Sequence, residues 1–370
     1  MKKKIFIIVL LLTALLLSGC GITKNVIKEP ETNEQTDEIV EKEEIKQPDV
    51  PQEQPGQTVE EPALTDPVEA IDLSLNPNEL GEIMILMYHG IGSEESAWQR
   101  TPENFRKDLQ YMYDNNYQMI SLNDYAKGEI KTREGYTPII LTFDDGRQNN
   151  FNYVEQEGKL VVDPDCAVGI LEEFKNKYDD FDVTASFFLG TNPFGQPEYF
   201  EQKLKFLAEN GYDIGNHTYS HNKMEQLNSE EIQKEIGSVN NIIKKYLPDY
   251  TVETLALPHG SDPKPEYKDS MLEGEYDGVP YKSIAVLDVG WRPAYSPFDT
   301  LNDFSKLYRI TASEINVQNC GIYDYFKSFE NNTRERFISD GNPDVVTIPK
   351  KHEQYLNMDV VGQRIVNMYE

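Results

Sequence analysis

From residue 83 onward the chain alternates short, continuously apolar runs with stretches whose apolar residues recur every three or four positions. The runs Ile83–Tyr88 (IMILMY), Thr137–Phe143 (TPIILTF) and Val183–Leu189 (VTASFFL) predict strands buried on both faces, because neither side of such a pleat is polar enough to meet water. Shorter runs at Thr254–Leu257, Ser283–Leu287 and Val345–Ile348 predict further strands. Between the runs the period lengthens. In Thr101–Asn116, Phe105, Leu109 and Met112 share one helical face, Thr101 is placed to cap the helix, and Pro102 falls at the first helical position, where its missing N–H costs nothing. The segment AVGILEEFKNKY predicts a second helix, and Ile232, Ile236, Val239 and Ile243 line one face of a third. Strand and helix in alternation imply an α/β domain, a parallel sheet covered by helices. The pattern leaves open whether the sheet closes into a barrel. Either way, functional groups gather at the carboxyl ends of the strands.

The front of the chain reads differently. Met1-Lys2-Lys3-Lys4 precedes an apolar run from Ile5 to Leu17, then Leu17-Ser18-Gly19-Cys20. A basic start, a short apolar stretch and a small-residue cleavage site make a secretory signal, and the run is too short for a comfortable membrane span. Leu-Ser-Gly-Cys resembles the bacterial lipobox, which implies cleavage before Cys20, a lipid on its thiol, and residence on the extracellular face of the cell membrane with the lipid as the only anchor. Residues 21–80 are dominated by Glu, Pro, Gln and Thr, too poor in large apolar side chains to offset their ordering entropy, and predict a disordered acidic tether. The expected division is therefore 1–20 signal, 21–80 linker and 81–370 catalytic domain.

Charge and cysteine content narrow the function. The formal charge of −29 excludes nucleic acid, whose binding needs clustered Lys and Arg, and a basic lipid-binding patch; it suits a neutral or cationic partner. Besides Cys20 only Cys166 and Cys320 occur, which is no disulfide framework, so both are expected as free thiols. A monomer is expected.

The chemistry concentrates in two places. Asp144 and Asp145 end the apolar run of PIILTFDDG, where ionised carboxylates are costly to bury unless something pairs with them; an Asp-Gly turn is the plainer reading. His217 and His221 stand four apart in IGNHTYSH, among only five histidines in the chain. Two imidazoles and one carboxylate around a metal leave positions for water and substrate, the layout of a catalytic site.

TFDDG (Thr142–Gly146), ASFFL and HTYSH (His217–His221), in this order between LMYHGI (Leu86–Ile91) and LALPHG (Leu255–Gly260), resemble the polysaccharide deacetylase family, the NodB-homology or carbohydrate esterase family four. The resemblance implies a distorted (β/α) barrel, one divalent metal ion (zinc foremost, with cobalt, nickel or manganese as alternatives), and hydrolysis of N-acetyl groups from N-acetylglucosamine units of a cell-surface or matrix polysaccharide. By the same resemblance Asp144 is the general base, Asp145, His217 and His221 hold the metal, the Pro258-His259 turn offers a backbone amide to the oxyanion, Trp291 walls the acetyl pocket, and Thr218 braces the histidine loop. The chain departs from the family where a third-motif arginine is replaced by Ala256; Arg292 and Arg309 are the candidates to orient the base instead. The fifth motif's Leu-x-His is also missing, DVVTIP being followed by KKH with His352. Ala256 and the early Tyr-His resemble the subgroup that deacetylates poly-β-1,6-N-acetylglucosamine, which points to His89 as the general acid. Two other functions remain open on the sequence: a glycan-binding protein without turnover on the same scaffold, and an O-acetyl polysaccharide esterase.

Overall fold

The computed structural model describes residues 67–191 and 193–370. The signal segment, Cys20 and the tether up to residue 66 lie outside the described residues. Eight parallel strands form one sheet: β1 (Met84–Tyr88), β2 (Tyr117–Met119), β3 (Thr137–Phe143), β4 (Ser186–Leu189), β5 (Asp213–Asn216), β6 (Thr254–Ala256), β7 (Ala285–Leu287) and β8 (Ile310–Thr311). Their order is β7-β6-β5-β4-β3-β1-β8, with β2 beside the first half of β3. The segment 304–311 links the two edges. Leu307 pairs with Leu287 of β7, and three residues later Ile310 pairs with Leu86 of β1. The sheet is thus curled into the expected distorted (β/α) barrel.

Parallel strands need long crossovers, and helices supply them: α1 (Pro102–Asp114), α2 (Leu122–Lys127), α3 (Ala167–Lys177), α4 (Phe200–Glu209), α5 (Ser229–Tyr246) and α6 (Lys268–Leu272); α7 (Ile322–Glu330) follows the last strand. Every residue of β1, β3 and β4 is buried, which is why these strands read as unbroken apolar runs. Alternate residues serve two cores. Met84, Leu86 and Tyr88 pack with α1, α3, α4 and α7, whereas Ile83 and Ile85 join Ile140, Phe188, Ala256 and Leu287 on the other face. Thr101 caps α1 through its Oγ1, which accepts from the Asn104 N–H at 3.3 Å, with Pro102 first in the helix. The late strand Val345–Pro349 pairs with Ile365–Tyr369 outside the main sheet. Cys166 and Cys320 are free thiols. Among the described residues no helix is long and apolar enough to cross a membrane.

The fold begins before residue 81, earlier than the composition suggested. The Asn78 N–H donates to the Ile338 carbonyl at 2.9 Å and the Glu79 N–H to that of Thr347 at 3.0 Å. Glu79 looked like one more solvated tether charge. Its side chain is buried instead, accepting from the Thr347 N–H at 3.1 Å, and burial, with Asp340 nearby, pushes its carboxyl well above the usual range. Leu80 adds a buried apolar side chain worth ~2 kcal/mol, and the two backbone hydrogen bonds add ~1 kcal/mol each. A chain starting at Pro67 should therefore melt about 8 °C above one starting at Gly81, at ~2 °C per kcal/mol for a domain of this size. Equal melting temperatures would show that residues 78–80 contribute nothing.

Candidate active site

At the carboxyl end of β3 the two aspartates part company. Asp144 continues the strand, its N–H donating to the Tyr88 carbonyl at 3.0 Å. Asp145 takes φ of 70°, a left-handed conformation costly for a residue with a Cβ, and this turns its side chain away from that of its neighbour.

Asp144 is buried against Arg309, whose side chain has no exposure at all. The Arg309 Nη1 and Nη2 donate to the two carboxylate oxygens, each at 2.7 Å, the bidentate fork that makes Arg–carboxylate pairs strong. Arg309 is fixed in turn: its Nε donates to the Asp288 carbonyl at 3.0 Å and its Nη1 to the Thr142 Oγ1 at 3.1 Å. Burial alone would raise the Asp144 carboxyl, but the Arg309 charge outweighs it and holds the group at about 2. Asp144 is an aimed, ionised carboxylate at neutral pH. Of the two arginines offered by the sequence, Arg309 is the partner. Arg292 lies over the Tyr295 ring at 4.0 Å.

Asp145 meets the histidines. His217 follows β5, its N–H tied to the Leu189 carbonyl at 2.8 Å. Its Nδ1 lies 2.9 Å from the carbonyl of Ala256, the residue standing where the family has arginine. A carbonyl only accepts, so Nδ1 carries the proton and Nε2 presents a lone pair. That Nε2 lies 3.4 Å from Asp145 Oδ1, and the His221 Nε2 lies 3.5 Å from the same oxygen. Burial opposes ionisation of Asp145, but the facing imidazoles of His217 and His221, with the Arg147 guanidinium adding to them, hold its carboxyl far below the usual range. The reciprocal hydrogen bond to Asp145 raises the His221 imidazole. The three ligand atoms all lie within 4.8 Å of one another, so the donor set fits a divalent cation with coordination positions to spare.

The histidine loop is braced, though not by the Thr218 hydroxyl, which is buried without a partner. The Thr218 N–H donates to Asn216 Oδ1 at 2.8 Å and the Ser220 N–H to Glu235 Oε2 at 2.6 Å. These bonds hold Thr218 and His221 at positive φ, 63° and 55°. Arg147 was not singled out in the sequence. Its Nε and Nη2 donate to Asp145 Oδ2 at 2.9 and 2.7 Å, leaving Oδ1 for the histidines.

The remaining expected residues divide. His89 directly follows β1, beside both aspartates; burial pushes its imidazole down to about 4, against the pull of Asp144 and Asp145, and its buried Nδ1 has no hydrogen-bond partner. His259, at φ 58°, packs its ring edge-on to His221 at 4.7 Å, with Pro258 buried beneath the turn. Trp291 is 61% exposed and packs against Tyr308 at 5.5 Å, next to Arg309 but with no ring contact to the triad. His352 lies 2.7 Å from Glu335 and lines a hollow with Leu80, Gly81 and Glu82, at the end of the barrel where β1 begins. A hollow of about 800 Å³ is also remote, bounded by residues 250–253 and Ile284 that lead into β6 and β7. The paired charges mark the candidate site.

Removing Arg309 would leave Asp144 a buried, unpaired charge. Arg309→Gln should lower unfolding free energy in urea by about 3–5 kcal/mol, and adding Asp144→Asn should recover a good part of the loss. An unchanged denaturation midpoint for the single variant would mean the pair is not buried as described.

Residues 131–274 match the family model described as polysaccharide deacetylase, a span that holds both aspartates, His217, His221 and the Pro258-His259 turn but neither His89 nor Arg309. The curated relative YxkH of Bacillus subtilis (strain 168) is 24% identical over 159 residues, 42% of this chain and 49% of the relative. The peptidoglycan-N-acetylglucosamine deacetylase of Bacillus cereus is 29% identical over 145 residues, 39% of this chain and 51% of the relative. The chain thus spans about half the length of the curated relatives it matches. Among solved structures, the Streptococcus pyogenes deacetylase PplD in complex with acetate superposes with a TM-score of 0.48 at 18% identity, covering 66% of this chain and 97% of that one. With TFDDG and HTYSH assembled at the carboxyl ends of β3 and β5, residues 131–274 are similar to the polysaccharide deacetylase family.

Proposed function

We propose that this domain is a divalent-metal-dependent N-deacetylase acting on N-acetylglucosamine units of a cell-surface or matrix polysaccharide. The observation that carries the reading is the division of labour between adjacent carboxylates: Asp144 locked as an anion by Arg309, Asp145 facing two imidazole nitrogens. Binding alone needs no base beside a metal site. Ala256 favoured a scaffold without turnover while the base lacked an orienting arginine, and Arg309 supplies one.

A divalent cation held by Asp145, His217 and His221, zinc foremost, would polarise the acetyl carbonyl and make a water more acidic. Asp144 accepts the proton of the attacking water, its carboxylate kept in line by the Arg309 fork. The His259 backbone amide, on the turn beside His221, would donate to the oxyanion. Water adds to the acetyl carbon, the C–N bond breaks, and acetate and a free amine leave. The amine needs the proton that Asp144 took. His89 is neutral at rest because of its burial, so its ring passes that proton on rather than supplying one already held; its partnerless Nδ1 is a group waiting for such a partner. The lipid on Cys20 and the acidic tether would hold the domain at the outer membrane surface, in reach of such polymers.

Acetate release is the test. Purified β-1,6- and β-1,4-linked N-acetylglucosamine polymers and an O-acetylated xylan are incubated with the protein, with and without chelator, then with zinc, cobalt, nickel or manganese restored. The proposal expects acetate from an amide-linked polymer, loss with chelator and recovery with metal. Chelator-insensitive release, or release from the ester alone, contradicts it. In the same assay His89→Ala should slow turnover about 10²–10⁴-fold, the usual worth of a proton-transfer group, while His352→Ala stays near wild type. The reverse result would reassign the acid.

A further inference from the structure

The chain has two tryptophans, and neither is buried: Trp98 is 46% exposed and Trp291 61%. Tryptophan is highly buried on average, so an indole held in water by a well-fastened backbone has a use to be sought. Trp98 is such a case. The Gly90 N–H donates to its carbonyl at 3.2 Å, and the Ser96 N–H donates to the Gln99 carbonyl at 2.9 Å across the turn that carries it. Ser313 Oγ donates to the Ser96 carbonyl at 2.9 Å, and the Glu95 carboxylate accepts from the Thr101 N–H at 2.6 Å. The loop is pinned on both sides of the indole. Nothing about it suggests a side chain exposed by slack.

Trp98 is also continuous with the catalytic groups. Its ring meets that of His89 at 61°, with centroids 4.9 Å apart, and nearly half of the residue stays in water. Its carbonyl lies 3.4 Å from Nη1 of Arg147, the residue that grips Asp145 Oδ2. A rigid, half-exposed aromatic plane at the lip of a site that handles sugars matches one partner shape in particular. A pyranose in its chair form has a flat face of axial C–H groups and a rim of hydroxyls; the face lies on the positive-edge-seeking π surface while the rim stays wet.

We infer that Trp98 is a stacking platform for a second sugar ring of the chain, the neighbour of the unit whose acetyl group is removed, and that it gives the site its preference for oligomers over single sugars. The inference rests on the N-deacetylase reading and extends it to how the polymer is held.

The test separates the two. In Asp144→Asn/Trp291→Phe protein, where the base is gone and Trp98 is the sole indole, intrinsic fluorescence is followed during titration with N-acetylglucosamine and with its five-unit β-1,6- and β-1,4-linked oligomers. A saturable change with at least one five-unit chain, and none with the monosaccharide at the same concentration, is expected. In otherwise unaltered protein, Trp98→Ala should raise KM for the responding oligomer about tenfold while kcat moves little, the signature of lost uniform binding. Trp98→Tyr should recover part of the loss. No emission change with any oligomer, or the same change with the monosaccharide, overturns the inference. So does an equal fall of kcat on long and short substrates in Trp98→Ala, which would make Trp98 a wall that only orients His89. Absence of acetate release by the wild-type protein would instead remove the functional reading, and the fluorescence titration reports on Trp98 whichever way that falls.

Discussion

One buried charge organises the carboxyl end of this barrel. Taking Asp144 out of water costs several kcal/mol, and an ion pair repays that only when its geometry is good and its remaining hydrogen bonds are met. The geometry here is good: the Arg309 fork is bidentate at 2.7 Å, and the guanidinium spends two further donors on the Asp288 carbonyl and the Thr142 hydroxyl. The pair joins β3 to the segment that closes the barrel, so the residue that fixes Asp144 also ties the last strand to the centre of the sheet. A carboxylate held this way cannot swing towards the histidines. That leaves Asp145 to complete the candidate metal site with His217 and His221.

The same region stores backbone strain. Asp145, Thr218, His221 and His259 all have positive φ, at 70°, 63°, 55° and 58°. Such conformations cost about 1–3 kcal/mol each and persist only where the surroundings insist on them. Here the insistence is visible in particular bonds, from Asn216 and Glu235 to the histidine loop and from Arg147 to Asp145. The reward is convergence: three loops after three strands bring their ligating and facing groups to one point.

Much of this was legible in the sequence, for physical reasons that differ from residue to residue. The strands β1, β3 and β4 announced themselves because burial on both faces forbids polar residues, and α1 and α5 because one face of each packs on the sheet. The candidate metal triad was offered by the resemblance of TFDDG and HTYSH to the family's motifs, and the structure brings its three ligand atoms together. The strand β8 did not announce itself, since two residues carry no period, and Arg309 therefore could not be placed over Arg292 by strand pattern. Arg309 differs in one respect a reader of the sequence can see: it sits between Leu307-Tyr308 and Ile310, in apolar company that hides a charge only when a partner waits inside. The early boundary was missed because a glutamate counts as solvated in any composition, while Glu79 is in fact held by backbone N–H groups. Arg147 was invisible because its role depends on the turn at Asp145, which no spacing encodes.

The account therefore turns on two neighbouring carboxylates doing different work, and metal titration by calorimetry separates them most directly. Zinc binding is measured on the wild-type protein, Asp144→Asn and Asp145→Asn, each checked for folding. Asp144→Asn should bind one ion per chain with affinity close to wild type, and Asp145→Asn should bind at least ~100-fold more weakly, beyond the usual cost of an outer-shell change. Loss of binding in Asp144→Asn with retention in Asp145→Asn would reverse the roles and contradict the account at its centre.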